Sequence, residues 1–457
     1  MKKFRILALA GSLALCAAAY AQNTNSGYFL DNYNYRYQLN PAFGNEHNFV
    51  SMPGLGNLNV AVRGNLHLFS IIYALDGKTV LFTNPGIPAA EVMDGIHEKN
   101  RIGADVKVNI LSAGWKAWGG YNTVSINARA NVNAQVPGSF IQLAKEGVEN
   151  RTYDIENLRA RGTGYAEIAL NHSRDIKEVP GLRVGAAMKF LVGIANLDAY
   201  FNKAHLTLGE DSWIAETDAE IYANIGGFQY DKKMNKKGHE YVSGANLDGD
   251  GSIGPNGFGM AFDLGATYEW NDFRFSLAAL DLGWISYSKT QYATTGGLRT
   301  VDTDAYHFNA DSDAPNSFSN EWKNLRDNLE SLYQLDDGGD IGGHNVGLGA
   351  TLNVGVEYTL PVYRNLSFGL LSSSRLQGKY SWTEVRLSAN VQPVKCFGAS
   401  ANVAVGTYGA GFGWLLNYYG KGFSFFVGMD HTLGKVTKQF VPLNSNASLN
   451  LGINFPF

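Results

Sequence analysis

The run Asn246-Leu-Asp-Gly-Asp-Gly-Ser252 sets oxygen donors at alternate positions, which is how a calcium loop begins. Asn246, Asp248 and Asp250 are ligand types that a hard divalent cation takes, and Gly251 supplies the sharp turn. The twelfth position of a full loop gives a bidentate carboxylate. Here it is Gly257, so tight calcium binding is not expected from this loop alone. Asp336-Asp-Gly-Gly-Asp340 is a weaker form of the same pattern. A solvated, glycine-rich loop is the competing account of both runs, and no cofactor is expected. His172, His307, His344 and His431 stand without a serine or aspartate at a telling spacing. Neither H-E-x-x-H nor G-x-S-x-G occurs, so the chain is not expected to be an enzyme.

The other residues able to do chemistry recur on one face of alternating segments. They are Arg63, Lys107, Arg129, Asp263, Arg274, Glu357, Glu384, Arg386 and Asp430. Mixed signs on one face read either as a self-paired polar interior or as a polar conduit. Tyr33, Tyr35 and Tyr37, with Trp322, are the aromatics that could give a lipophilic cargo an apolar surface. They could equally pack a plug or lie at an interface.

Such a face needs strands to carry it. In Ala447-Ser-Leu-Asn-Leu-Gly-Ile-Asn-Phe-Pro-Phe457, Ala447, Leu449, Leu451, Ile453, Phe455 and Phe457 alternate with small or polar residues. A closing strand of an outer-membrane barrel shows this period, apolar toward lipid and polar toward the lumen. Phe455 and Phe457 end the chain in the aromatic manner that barrel-assembly machinery favours. Counting back, long polar segments (431–446, 291–344, 226–258) alternate with short turns such as Trp270-Asn-Asp-Phe273. That parity predicts long loops outside and short turns in the periplasm. Good strand signals continue back to 57–66. Segments 199–208 and 219–225 bring the count to 16 if they are wall strands and leave it at 14 if they belong to an outer loop. Helices are expected over 139–147 and on the Phe318, Trp322, Leu325, Leu329, Leu332 stripe, with Ser319 as a cap. Both helices would pack over the barrel mouth or rim.

The N-terminus fits export. Lys2, Lys3 and Arg5 precede an apolar run from Ile6 to Ala19, and Ala19-Tyr-Ala21 is a cleavage site, so residues 1–21 read as a signal peptide and Gln22 as the first mature residue. Leu15 before Cys16 argues against lipidation. Only Cys396 then remains, and no disulfide framework follows. Charged residues are 17% of the 457, against about 25% in soluble domains, while aromatics reach 12% and glycines number 53. Mean hydropathy is −0.16. With no later run of 18 apolar residues, helical spans are excluded. A net charge of −4 without a basic patch gives no reason to expect nucleic acid. The prediction is an all-β transmembrane antiparallel barrel of about 14 strands (12 to 16), with residues 22–56 as an N-terminal plug and 57–457 as the barrel.

Two motifs carry a family resemblance. Leu39-Asn-Pro-Ala-Phe43 lies ahead of the first strand, and Gly259-Met-Ala-Phe-Asp-Leu-Gly-Ala-Thr-Tyr268 is followed by Leu280-Asp-Leu-Gly-Trp-Ile285. Together they resemble an uncharacterised outer-membrane barrel family of the FadL-like superfamily, and the Asn-Pro-Ala is shared with barrels of the PorV type. The resemblance implies 14 strands, an N-terminal plug turned by Asn40, Pro41 and Ala42, outer-membrane lipid as the surroundings, and passage of a small hydrophobic molecule. A barrel that anchors surface or secretion partners through its outer loops is the second expectation.

Overall fold

The computed structural model describes residues 24–147, 149–209, 212–247, 254–307, 314–432 and 446–457. The expected signal peptide lies outside these residues, as do Asp248 and Asp250.

Fourteen antiparallel strands close into a barrel. They are β1 (Phe49–Ser51 and Leu58–Gly64), β2 (Lys99–Ala117), β3 (Gly120–Pro137), β4 (Arg159–Asp175), β5 (Leu182–Leu208), β6 (Gly257–Trp270) and β7 (Phe273–Tyr287). The wall continues with β8 (His344–Gly347 and Ala350–Thr359), β9 (Leu366–Leu376), β10 (Trp382–Val394), β11 (Phe397–Gly406), β12 (Gly409–Gly420), β13 (Phe423–Met429) and β14 (Ala447–Pro456). Each strand pairs with the next, and β1 closes the ring, with Val60 opposite Val106 on β2 and Leu449 on β14. Closure leaves the barrel no edge strand, so its backbone groups can be satisfied by the ladder within lipid. The wall begins earlier than expected: residues 49–51, assigned above to the plug, already pair with β14.

The alternation read in the sequence is the alternation of the wall. On β14, Ser448, Asn450, Gly452 and Asn454 are buried in the lumen while Leu451, Ile453 and Phe455 turn out. Phe190, Leu277, Val354, Leu370, Leu387 and Val403 likewise lie exposed on the outer face. Trp118, Trp270, Phe273, Tyr418, Phe423, Phe455 and Phe457 form an exposed aromatic girdle at one end. No helix among the described residues is long and apolar enough to cross a membrane. The outer band belongs to a transmembrane barrel. Leu387→Arg, at mid-strand, is therefore expected to cost about 2–4 kcal/mol and to remove most heat-modifiable folded protein, whereas Leu387→Phe should leave it intact. Equal yields of the two variants would contradict a lipid-facing band.

The strand count comes out at 14 for a physical reason. Segment 199–208 is the far half of β5, a strand of 27 residues, where a span needs about 9–11. A bulge opposite Gly164 and Tyr165 breaks its alternation, so the sequence shows one good strand and a separate weak segment instead of one long strand. The near half of β5 pairs with β6, and the far half pairs with strand Trp213–Ile225. The latter takes Gln291–Thr294 and Arg299–Asp302 on its other side, extending the wall beyond the barrel proper. Segment 291–344, expected as one long insertion, thus contributes strands to this extension.

One end of the barrel carries tight turns, at Asn271-Asp272 and at Trp118-Gly119, where Asn271 and Trp118 take positive φ of 53° and 55°. The other end carries the long connections. There α1 (Ala89–Asp94) and α2 (Gly138–Glu146) share a small core of Leu66, Ile87, Val92 and Ile141. Helix α3 (Phe318–Ser331) forms where expected, but its cap is Ser317, not Ser319: the chain leaves extended geometry one residue before Phe318. Its Phe318 and Trp322 are 63% and 56% exposed, so this helix does not seal its stripe against the rim as expected.

Candidate functional site: a lumen filled by the N-terminal segment

Residues 24–48 run through the lumen as two short 3-10 turns, Asn25–Gly27 and Arg36–Gln38, joined by tight bends. The composition explains the conformation. Asn, Gly and Tyr disfavour long helices, and their polar tips can bond to a polar wall. Tyr28, Tyr33, Tyr35, Leu39, Asn40 and Ala42 are at most 2% exposed. Leu30, Tyr33, Tyr35 and Tyr37 pack on Phe49, Leu415 and Phe426, and Tyr28, Phe29, Leu39 and Phe43 pack on Leu371. The tyrosine triplet is thus packed inside the barrel, and Trp322 is far out on α3.

Hydrogen bonds and ion pairs fix the segment at several points. The Asp430 carboxylate accepts from the backbone N–H of Asn25 (2.9 Å) and Ser26 (2.7 Å) and from the Ser26 hydroxyl (2.7 Å). Asp31 takes a two-pronged pair from Arg274 (2.8 and 3.1 Å) and a third contact from Arg36 (2.5 Å). Asn353 donates to Leu39 O and Asn417 to Asn32 O, both at 2.9 Å.

The two resemblance motifs meet here. Asn40 Oδ1 accepts from Ala42 N–H at 2.9 Å, closing the Asn-Pro-Ala turn, and its Nδ2 donates to the carbonyls of Ala266 and Leu277 at 3.3 Å. The turn lies against wall glycines. A Cβ on Gly185 would overlap the Pro41 carbonyl, and one on Gly265 would overlap the Asn40 side chain. Gly265→Leu should therefore unseat the turn while leaving the ladder intact, giving a heat-modifiable barrel in which a protease cuts the segment faster than in the parent. Unchanged proteolysis would contradict the seat.

Charged residues of the wall pair mostly with one another. Asp281 accepts two hydrogen bonds from Arg129 (2.9 and 3.0 Å), one from Lys189 (2.7 Å) and one from Arg375 (3.1 Å). Arg129 also holds Glu167 at 2.9 Å, and Lys189 holds Asp263 at 2.6 Å. Three cations thus meet three anions in a closed network. Elsewhere Glu384 joins Arg386 (2.6 Å) and His431 (2.8 Å), and Glu357 joins Arg274 (3.3 Å). Sequence parity found Arg129, Asp263, Arg274, Glu357, Glu384, Arg386 and Asp430 but missed Asp281, Glu167, Lys189, Arg375 and the Asp31–Arg36 pair. Asp281 sits at a bulge with φ of +58°, so it and Leu280 both turn inward, where strict alternation allows only one.

Two cavities border the segment. One, of about 50 Å³, is lined by Asn25 and Leu39 of the segment and by wall residues including Lys107, Arg129, Asn133, Asp281, Asn353 and Arg375. The other, of about 420 Å³ near the tight-turn end, is lined by Phe29, Leu30 and Asp31 of the segment and by Glu357, Arg364, Ser367, Asn390 and Lys395. Residues 25–39 contribute to both linings.

Of the expected calcium ligands, Asn246 donates to Asp231 Oδ1 at 2.5 Å; the other two lie outside the described residues. Elsewhere Asp154, Glu156 and His205 bring three potential ligand atoms within 4.8 Å of one another at the rim. Phe455 and Phe457 are 43% and 73% exposed at the end of the wall.

A model of a family of unknown function, DUF5723, matches residues 41–430. No curated protein is detectably similar to the chain. Among solved structures, the Ralstonia pickettii toluene transporter TbuX aligns with a TM-score of 0.41 at 9% identity over 92% of each chain. The Pseudomonas putida toluene transporter TodX gives 0.39 at 9% identity, covering 95% of this chain and 94% of that one. A Pseudomonas aeruginosa FadL homologue gives 0.38 at 8% identity, covering 96% and 98%. The barrel itself rests on the strand pairing described above.

Proposed function

The chain belongs to DUF5723, a family of unknown function, and we propose that it is a gated outer-membrane channel for small molecules, with the N-terminal segment as its gate. One observation carries the reading: residues of the segment line both cavities, Asn25 and Leu39 the one beside Arg129 and Asp281, and Phe29 to Asp31 the one toward the tight turns. Displacing the segment would open one path along the lumen. The anchors suit a movable part, because Asp430 and Asp31 hold the segment through hydrogen bonds and ion pairs that water can replace.

The resemblance implies hydrophobic cargo, and an inward apolar patch of Tyr165, Leu191, Ile285, Val346 and Leu348 supports that class. The residues bordering the cavity favour a polar one: Lys107, Arg129, Asn131, Thr351, Ser373 and Gln377 outnumber Val106, Leu39 and Leu280. The exposed aromatic pair Phe318 and Trp322 supports the second reading, a surface that holds an external partner.

Asp31→Asn with Asp430→Asn should loosen the gate. Proteoliposomes carrying the double variant should swell faster in glycerol than those carrying the parent chain. Identical rates at equal folded protein would count against gating. The long connections are placed outside the cell in this reading. Cysteines at Lys236 and Asn320, in a Cys396→Ala background, should then react with an impermeant maleimide on intact cells, and one at Asn271 should not. The reverse labelling would invert the topology.

A further inference from the structure

Beyond the spanning part of the wall, two adjacent rungs of the sheet face the interior together. One runs Gln135, Arg159, Tyr200, Glu220 and Thr294 across five strands, and the other runs Asn133, Arg161, Asp198, Tyr222 and Tyr292. Their aromatic members, joined by His344 of β8, form a platform. The Tyr200 and Tyr222 rings lie 6.2 Å apart at 19°, Tyr222 and His344 lie 5.5 Å apart at 17°, and Tyr292 sits 4.9 Å from Tyr222. All four rings are half-buried, so each keeps an accessible surface.

Glu220 fixes the platform. It accepts hydrogen bonds from Tyr200 (2.7 Å), Tyr292 (2.7 Å) and Tyr222 (3.3 Å). Partial burial works against its charge, but the phenol hydrogen bonds outweigh that and hold the carboxyl below its ordinary value. With the hydroxyls committed to Glu220, what the rings leave accessible is aromatic surface more than free polar tips.

At the edge of this platform the polar groups are not fully used. The Arg159 guanidinium stands 5.5 Å from the Tyr200 ring centroid, and its Nε makes no hydrogen bond. The Arg161 Nε is also unbonded, and its nearest carboxylate, Asp198, is 4.0 Å away. The hydroxyl of Tyr380, a residue 8% exposed, has no hydrogen-bond partner and shares its surroundings with Asp198, Arg159 and Arg161. Buried polar groups in this state call for a partner. Two arginines stand against two carboxylates, so no net charge is selected.

A ligand that completes this wall has an apolar flat face, several hydroxyls at its edge and no net charge. A pyranose ring has all three, because its axial C–H groups stack on aromatic faces while its hydroxyls reach Arg and Asp side chains. An aromatic hydrocarbon would cover the rings and leave the polar edge unpaired, and a simple anion would leave the platform empty. We propose that this vestibule wall is a binding site for a neutral saccharide. It rests on the channel reading and assigns the class of cargo, in keeping with Asn133, which borders both this wall and the cavity below.

The test uses the full chain with its gate in place, in an amine-oxide detergent without sugar headgroups. Saturation-transfer NMR is run against maltotriose, cellotriose, xylotriose and mannotriose, with toluene and benzoate as comparators. At least one trisaccharide should bind more tightly than both comparators. Tyr222→Ala and Arg159→Gln should each weaken that binding by roughly tenfold, about the weight of one stacked ring. Tyr222→Phe, which keeps the ring face, should bind within a few-fold of the parent. Heat-modifiability checks that each variant is folded. If no trisaccharide binds, if benzoate or toluene binds more tightly, or if folded Tyr222→Ala and Arg159→Gln bind like the parent, the site is refuted. Because the assay needs no gate movement, that outcome leaves the conductance of the channel as a separate question.

Discussion

Asp281→Ala is expected to abolish most of the folded barrel, while Asp105→Ala is expected to be tolerated. The two aspartates border the same cavity. Asp281 is 5% exposed and neutralises Arg129, Lys189 and Arg375 at once, with Glu167 and Asp263 completing the balance. Removing it leaves three largely buried cations against two anions, a loss of about 3–5 kcal/mol. Asp105 makes no ion pair within 4.0 Å among the described residues, so its loss unbalances little. Asp281→Asn should be intermediate, because an amide can still accept from Arg129 but carries no charge. The measurement is the fraction of heat-modifiable protein after refolding into detergent, followed by urea titration of whatever folds. Equal stability of the Asp281→Ala and Asp105→Ala variants would show that the network is not what holds β3, β5, β7 and β9 together.

How far the sequence reaches follows from what each element obeys. β10 and β14 were legible because each obeys one rule, strict alternation between a lipid face and a packed lumen. The near half of β5 was legible for the same reason, and its far half was not: the bulge shifts the inward set by one residue. The extension built on that far half is only partly legible, since Trp213–Ile225 overlaps a weak segment that reads either as wall or as outer loop, and Gln291–Thr294 lies in what reads as loop. Among lumen charges, Arg129 and Glu384 fall on alternating runs and were found. Asp281 lies within the second resemblance motif, but its inward turn is not legible there, because a positive φ at a non-glycine residue is invisible in sequence. The Asn-Pro-Ala turn could be named, but not its contacts. Gly185 and Gly265 receive it from strands more than 140 residues away in the chain, and a lone glycine in a strand has no single reading. The tyrosines at 33, 35 and 37 alternate like a strand yet lie in a turn-rich segment, because the space inside a closed wall, not local propensity, decides their conformation.

The central claim is that the N-terminal segment closes a barrel that is otherwise a path. Residues 24–47 contribute no strand to the wall, and β1 starts after them, so the ladder closes without them. What they contribute is the packing that fills the lumen, from Tyr28 to Phe43, and the clamps at Asp430 and Arg274. The most direct measurement is single-channel conductance in planar bilayers of the full chain and of a chain lacking residues 24–47, each first shown to be heat-modifiable. The full chain should be closed or open only briefly, and the shortened chain should carry large, steady currents. A shortened chain that folds and stays electrically closed would contradict the account, because a lumen sealed by its own wall has no use for a gate.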